Sequence, residues 1–147
     1  MKRHSQRLVV KAPHRPPENE VPVAIASSVL WRSEEAVMAI PSLLVYTTGV
    51  ELLIMYRVKG LQASDIEHVR ATRDALRGLT ANGRPVELLG GQHLDHGFTY
   101  GAWIRLHDGD LEEGINFSLE WPGFEPTTYR IDGLRETTGR VIILWPS

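Results

Sequence analysis

His93, Leu94, Asp95 and His96 form the densest run of reactive side chains in the chain. Two imidazoles and a carboxylate are donors for a divalent cation, and a metal-activated water would make the set a hydrolytic site. Zinc takes three or four protein ligands in enforced geometry. In an extended strand His93 and His96 face opposite sides, so a loop must fold them together, with His107 arriving from elsewhere. Asp108, Asp110, Glu112 and Glu113 follow His107 and carry oxygen ligands of the kind calcium takes. Their spacing is not that of the twelve-residue calcium loop. Asp108-Gly109 reads more simply as a hairpin turn.

Other chemistry lacks its residues. The chain has no cysteine, which excludes thiol nucleophiles, thiolate zinc sites and iron–sulfur clusters. The same absence leans towards a reducing, cytoplasmic setting. No G-x-S-x-G elbow occurs, and Gly90-Gly91 lacks the Gly-Lys-Ser or Gly-Lys-Thr of a phosphate loop. No cofactor is expected.

The 147 residues carry 16 basic and 18 acidic side chains, a net charge of -2. A general nucleic-acid surface does not follow from that balance. The first fifteen residues, however, hold Lys2, Arg3, Arg7, Lys11 and Arg15 and no acid. Such an arm could touch nucleic acid at low salt, although a solvated tail is the simpler reading. No apolar run follows the basic start, so a signal peptide is not expected, and no stretch suffices for membrane insertion.

Four tryptophans offer recognition groups. Trp121 continues the apolar face of Ile115, Phe117 and Leu119, and Trp31 continues that of Val29, so both read as core. Trp145, beside Pro146, reads as a chain end buried by its last strand. Trp103 differs: it falls opposite Tyr100, Ile104 and Leu106 in strand phase. It is expected to be exposed or covered by a helix. Together with Arg105, His107 and Asp108 it makes the candidate binding surface, joined by the 93–97 loop if both meet at one sheet end.

The elements that must position these groups are mostly strands. Pro13, Pro16 and Pro17 mark residues 1–19 as an irregular basic tail, leaving 20–147 as one β-rich domain. Alternating apolar residues predict strands over 21–31, 50–59, 100–106, 115–121, 127–131 and 141–145. Residues 36–47 form an edge strand, or two strands broken at Pro41-Ser42. Ser64 and Glu67 open a helix near 64–80, stopped by Gly78 and Asn82-Gly83. A short strand at 86–89 precedes a loop from Gly90 to Gly97. The pattern predicts a mainly β fold, an antiparallel β-sandwich or partly open barrel with one helical insertion. An α+β fold with the helix across one sheet is the second choice.

Several short segments carry a resemblance: Phe117-Ser118-Leu119-Glu120-Trp121-Pro122, Glu125-Pro126-Thr127-Thr128, Leu144-Trp145-Pro146 and Tyr46-Thr47-Thr48-Gly49-Val50-Glu51-Leu52. They resemble an uncharacterised family of small actinobacterial β-rich proteins. The chain departs from that pattern between Gly60 and Gly97. The resemblance implies an all-β core and contributes no expectation of activity.

The expected function is that of a small soluble, non-enzymatic binding or accessory protein acting on another protein, with self-association as a variant. The competitors are a metal-assisted hydrolase built on His93, Asp95, His96 and His107, and a nucleic-acid accessory protein using the basic arm.

Overall fold

Val50, Leu52, Ile54 and Tyr56 alternate with Glu51, Leu53, Met55 and Arg57, and the strand they make lies at the centre of the fold. The four even-numbered side chains are buried, as period-two patterning requires of a strand facing a core. The computed structural model describes residues 15–59, 70, 74, 78–94, 96–119 and 127–145. In chain order the strands are β1 (Glu20–Val21), β2 (Val23–Ile25), β3 (Ser28–Arg32), β4 (Ala36–Ile40), β5 (Leu43–Val45) and β6 (Gly49–Val58). Then come β7 (Thr80–Ala81), β8 (Arg84–Pro85), β9 (Glu87–Leu94), β10 (Gly97–Arg105), β11 (Ile115–Leu119), β12 (Thr127–Ile131) and β13 (Ile142–Ile143). Two short helices, α1 (Asp110–Glu113) and α2 (Leu134–Thr138), sit between the later strands.

The larger sheet is antiparallel throughout. β10 lies along the whole of β6, from Gly97 opposite Arg57 to Arg105 opposite Gly49. β4 and β5 share the other edge of β6 end to end. Pro41 interrupts them because it has no N–H to donate, and the Leu53 amide bonds the Ser42 carbonyl at 3.0 Å across the gap. This is the break expected at Pro41-Ser42. β3 extends the sheet beyond β4, β2 beyond β5, and β9 beyond β10.

The smaller sheet runs β12-β11-β7-β8, again antiparallel. Phe117, Ile115 and Leu119 of β11 join Leu52, Ile54, Phe98 and Ile104 of the larger sheet in one buried cluster, with Ile131 and Leu134 beside them. Two antiparallel sheets around a shared apolar interior make a mainly β fold, a partly open sandwich with helical insertions. Among the described residues the sheets do not close into a barrel. A third, separate ribbon pairs β1 with β13.

Several local expectations change. Residues 21–31 are three strands, because Pro22 cannot donate to a ladder and Ala26-Ser27 leave the sheet. The stretch from Gly90 is not a loop: β9 continues to Leu94 and turns tightly into β10. A β-bulge takes up Leu89, since Gly101 faces Gly90 while Ala102 faces Leu88, and Gly90 has φ +123°. Asp108-Gly109 does not join a hairpin either. It leads into α1, which carries the chain from β10 in one sheet to β11 in the other. Asn82-Gly83 is a two-residue hairpin turn between β7 and β8, with φ +51° and +79°, the left-handed pair that such turns demand. The helix expected near 64–80 falls mostly outside the described residues, of which Arg70 and Asp74 are helical. Residues 1–14 and Trp121 also lie outside them.

Candidate functional site

β8 belongs to the smaller sheet and β9 to the larger, and only Val86 separates them. The chain therefore crosses between layers at one corner of the sandwich. A cleft of about 240 Å³ opens there, lined by Arg84, Glu87, Trp103, Arg105 and His107 among others. Arg105 ends β10 and is half-buried, and His107 is exposed just beyond it. Three of the four residues expected to form a binding surface thus share one cleft.

Trp103 is not an exposed aromatic. It is 0% exposed, on the face opposite the main cluster, where its ring meets Tyr46 edge-on with centroids 5.7 Å apart. The ring lies over Gly49, where an added Cβ would come within 2.3 Å of it. The missing side chain of Gly49 is what leaves room for the indole on the neighbouring strand. Trp103 therefore builds the cleft wall rather than presenting a free surface. The opposite correction holds for Trp145, which is 57% exposed rather than buried by the last strand. Trp31 is half-buried against the main cluster.

Asp110 anchors the corner. It is 3% exposed, and its carboxylate accepts from Arg84 Nη2 at 2.7 Å, from the His107 amide at 2.7 Å and from Asn82 Nδ2 at 3.0 Å. Asn82 also donates to the Gly114 carbonyl at 3.0 Å and accepts from the Asn116 amide at 2.8 Å. A buried carboxylate needs such partners, because unpaired it would not remain charged in an apolar setting. The network ties the β7–β8 turn to the segment bearing His107. Asp108 is exposed on the far side of His107, in a second cleft of about 410 Å³ with Thr47, Leu111, Glu112 and Arg135. Glu112 and Arg135 form an ion pair that joins α1 to α2.

The metal reading does not gain His107. His96 precedes β10 and His107 follows it, so the nine residues of that strand stand between them. At about 3.3 Å per residue the two are on the order of 30 Å apart. For the same reason the 93–97 turn and the Arg105–Asp110 segment occupy opposite ends of the hairpin, not one end. His93 pairs with Phe98 across that hairpin. Its side chain and Asp95 lie outside the described residues. Among the described residues no three His, Asp or Glu side chains gather as metal ligands. The basic arm also falls outside them, and no described helix is long and apolar enough to cross a membrane.

Sequence reasoning finds Arg105 and His107, names Asp110 only as one of an acidic set of calcium type, and misses Arg84 and Glu87. The Asn82-Gly83 pair was the available signal: read as a hairpin turn, it would have placed Arg84 on a strand next to the sheet crossing. Asp110 gave no such signal, since its acidic neighbours are surface residues.

Compared with family models, with curated proteins and with solved structures, the chain matches none of them. Function is therefore read from the chain's own geometry.

Proposed function

We propose that this chain is a small non-enzymatic binding protein that docks another protein at the sandwich corner around Arg105 and His107. One observation carries the reading: Arg105 and His107 line a cleft whose walls are fixed by the buried Asp110 network and by Trp103, yet neither side chain makes a hydrogen bond or ion pair among the described residues. A rigid scaffold carrying free polar groups at a loop end is the usual arrangement of a recognition site. Charged groups left at such a rim steer a partner and set its register.

Site-directed photo-crosslinking tests the reading. A photo-reactive side chain placed at Asp108 is expected to trap one partner protein in native extract, and Arg105→Glu to abolish that product. The same probe at Thr128, exposed on β12, is expected to trap none. An identical product from both positions, or one indifferent to Arg105→Glu, would overturn the proposal.

A further inference from the structure

We infer that this corner grips an oxyanion, a carboxylate or phosphate monoester on the partner protein, between Arg84 and Arg105 with His107 at the rim. The inference rests on the docking reading above and gives that site its chemistry.

Three observations converge. First, Arg84 is positioned in advance. Nη2 is held at 2.7 Å by the Asp110 carboxylate, which the His107 amide and Asn82 fix in turn. A guanidinium has five N–H donors in a planar fork, and among the described residues Asp110 takes only one of its nitrogens. The rest of the fork is left for an acceptor, in an orientation that costs the ligand little to meet.

Second, the charge is uneven. The lining holds two guanidinium groups, Arg84 and Arg105, and one carboxylate, Glu87, which has a partner of its own, while Asp110 is not part of it. Arg105 has no carboxylate partner among the described residues. An anion entering here meets two guanidinium groups against the one carboxylate of Glu87, and a cation meets the reverse. Guanidinium pairs suit planar or tetrahedral oxyanions because two parallel N–H bonds can form at once.

Third, the space is small. About 240 Å³ holds a carboxylate or phosphate head with a few waters. It falls below the range, upward of about 300 Å³, typical of sites that enclose a whole small molecule. A side-chain group carried in by a docking protein fits these limits better than a free ligand that must be enclosed.

Amide and guanidinium NMR spectra of the full chain test the inference, titrated separately with acetate and inorganic phosphate at matched ionic strength. Shifts are expected at Arg84, Arg105 and His107. Arg105→Gln is expected to weaken them at least tenfold, Arg105→Lys to weaken them less because charge remains without the fork, and Arg140→Gln, at an exposed position outside the cleft lining, to leave them unchanged. Retained amide dispersion in each variant shows that it is folded. Tighter acetate binding identifies a carboxylate as the partner's group, and tighter phosphate binding a phosphorylated side chain. Shifts spread over all surface cations, or unaffected by Arg105→Gln, would overturn the oxyanion. If neither anion perturbs the corner while the Asp108 crosslink still requires Arg105, this inference fails and the docking reading stands. Loss of both removes both.

Discussion

Two tryptophans with opposite sequence expectations exchange places at the residue scale. Trp103 lies wholly inside on the second face of β10, and Trp145 lies largely outside on the β1–β13 ribbon. Trp103→Ala is therefore expected to cost about 3–5 kcal/mol in urea unfolding, because it empties a packed site that cannot easily collapse. Trp145→Ala is expected to change stability by less than about 0.5 kcal/mol. Equal losses would contradict the placement of both rings. Tyr46, which packs against Trp103, supplies a pH prediction. Burial raises its hydroxyl above the ordinary value of 10.0, and the adjacent Glu51, to which it donates at 3.3 Å, and Glu20 raise it further. A raised phenol favours the protonated form in the folded state, so its contribution is fully present below pH 10.0 and is lost as pH rises towards the folded value. Stability should fall above pH 10.0. Tyr46→Phe should flatten that fall, and an ultraviolet titration should lose one late-ionising tyrosine. An unchanged alkaline slope in the variant would refute the assignment.

Legibility in the sequence divides by element, and the division has physical causes. β6 is plain in the sequence because its core-facing side alternates without interruption with a more exposed one. β10 is legible as a strand with Trp103 opposite Ile104, but the cover on its second face is not, since Ala102, Trp103 and Ile104 are all buried and alternation disappears when both faces are covered. β9 reads as a loop in the sequence because Gly90-Gly91 is also turn composition, and only the facing strand shows that Gly90 serves a bulge. The site was half legible for the same reason. Arg105 and His107 sit on or beside a recognisable strand, whereas Arg84 enters through a two-residue strand too short to leave a pattern. That small hairpin depends on Asp110 more than on its own ladder, which has two registered pairs. Asp110→Ala is expected to cost about 2–3 kcal/mol in denaturant unfolding, since it strands Asn82 and the His107 amide while Arg84, 34% exposed, can turn to water. Amide shifts in that variant should concentrate in residues 80–85 and 107–114. A loss confined to α1 would show that the network does not reach the hairpin.

Across the whole molecule, the hydrogen-bond pattern sets an order of local stability. β6 and β10 are bonded on both sides, the first by β4, β5 and β10, the second by β6 and β9. They also carry buried side chains from both sequence halves of the cluster. Their amides can exchange only when the larger sheet opens, and that opening exposes the shared interior to water. The β1–β13 ribbon is different. It has two registered pairs, extended by the Leu144 amide on the Asn19 carbonyl at 2.7 Å and by Asn19 Nδ2 on the Trp145 carbonyl at 3.1 Å. Val21, Ile142 and Ile143 on it remain exposed, so little apolar burial opposes its separation. Hydrogen exchange should therefore be slowest at Leu52, Ile54, Ala102 and Ile104, at the rate of global unfolding. It should be faster by orders of magnitude at Val21 and Ile143. The corner cleft belongs between these limits, because Arg105 ends a protected strand while His107 follows it. Adding the anion that the cleft takes should slow exchange at Ile104 through Asp110 without altering the ribbon. Ribbon amides as slow as those of β6 would mean that the terminal strands are part of the cooperative core, and the order argued from the two sheets would be wrong.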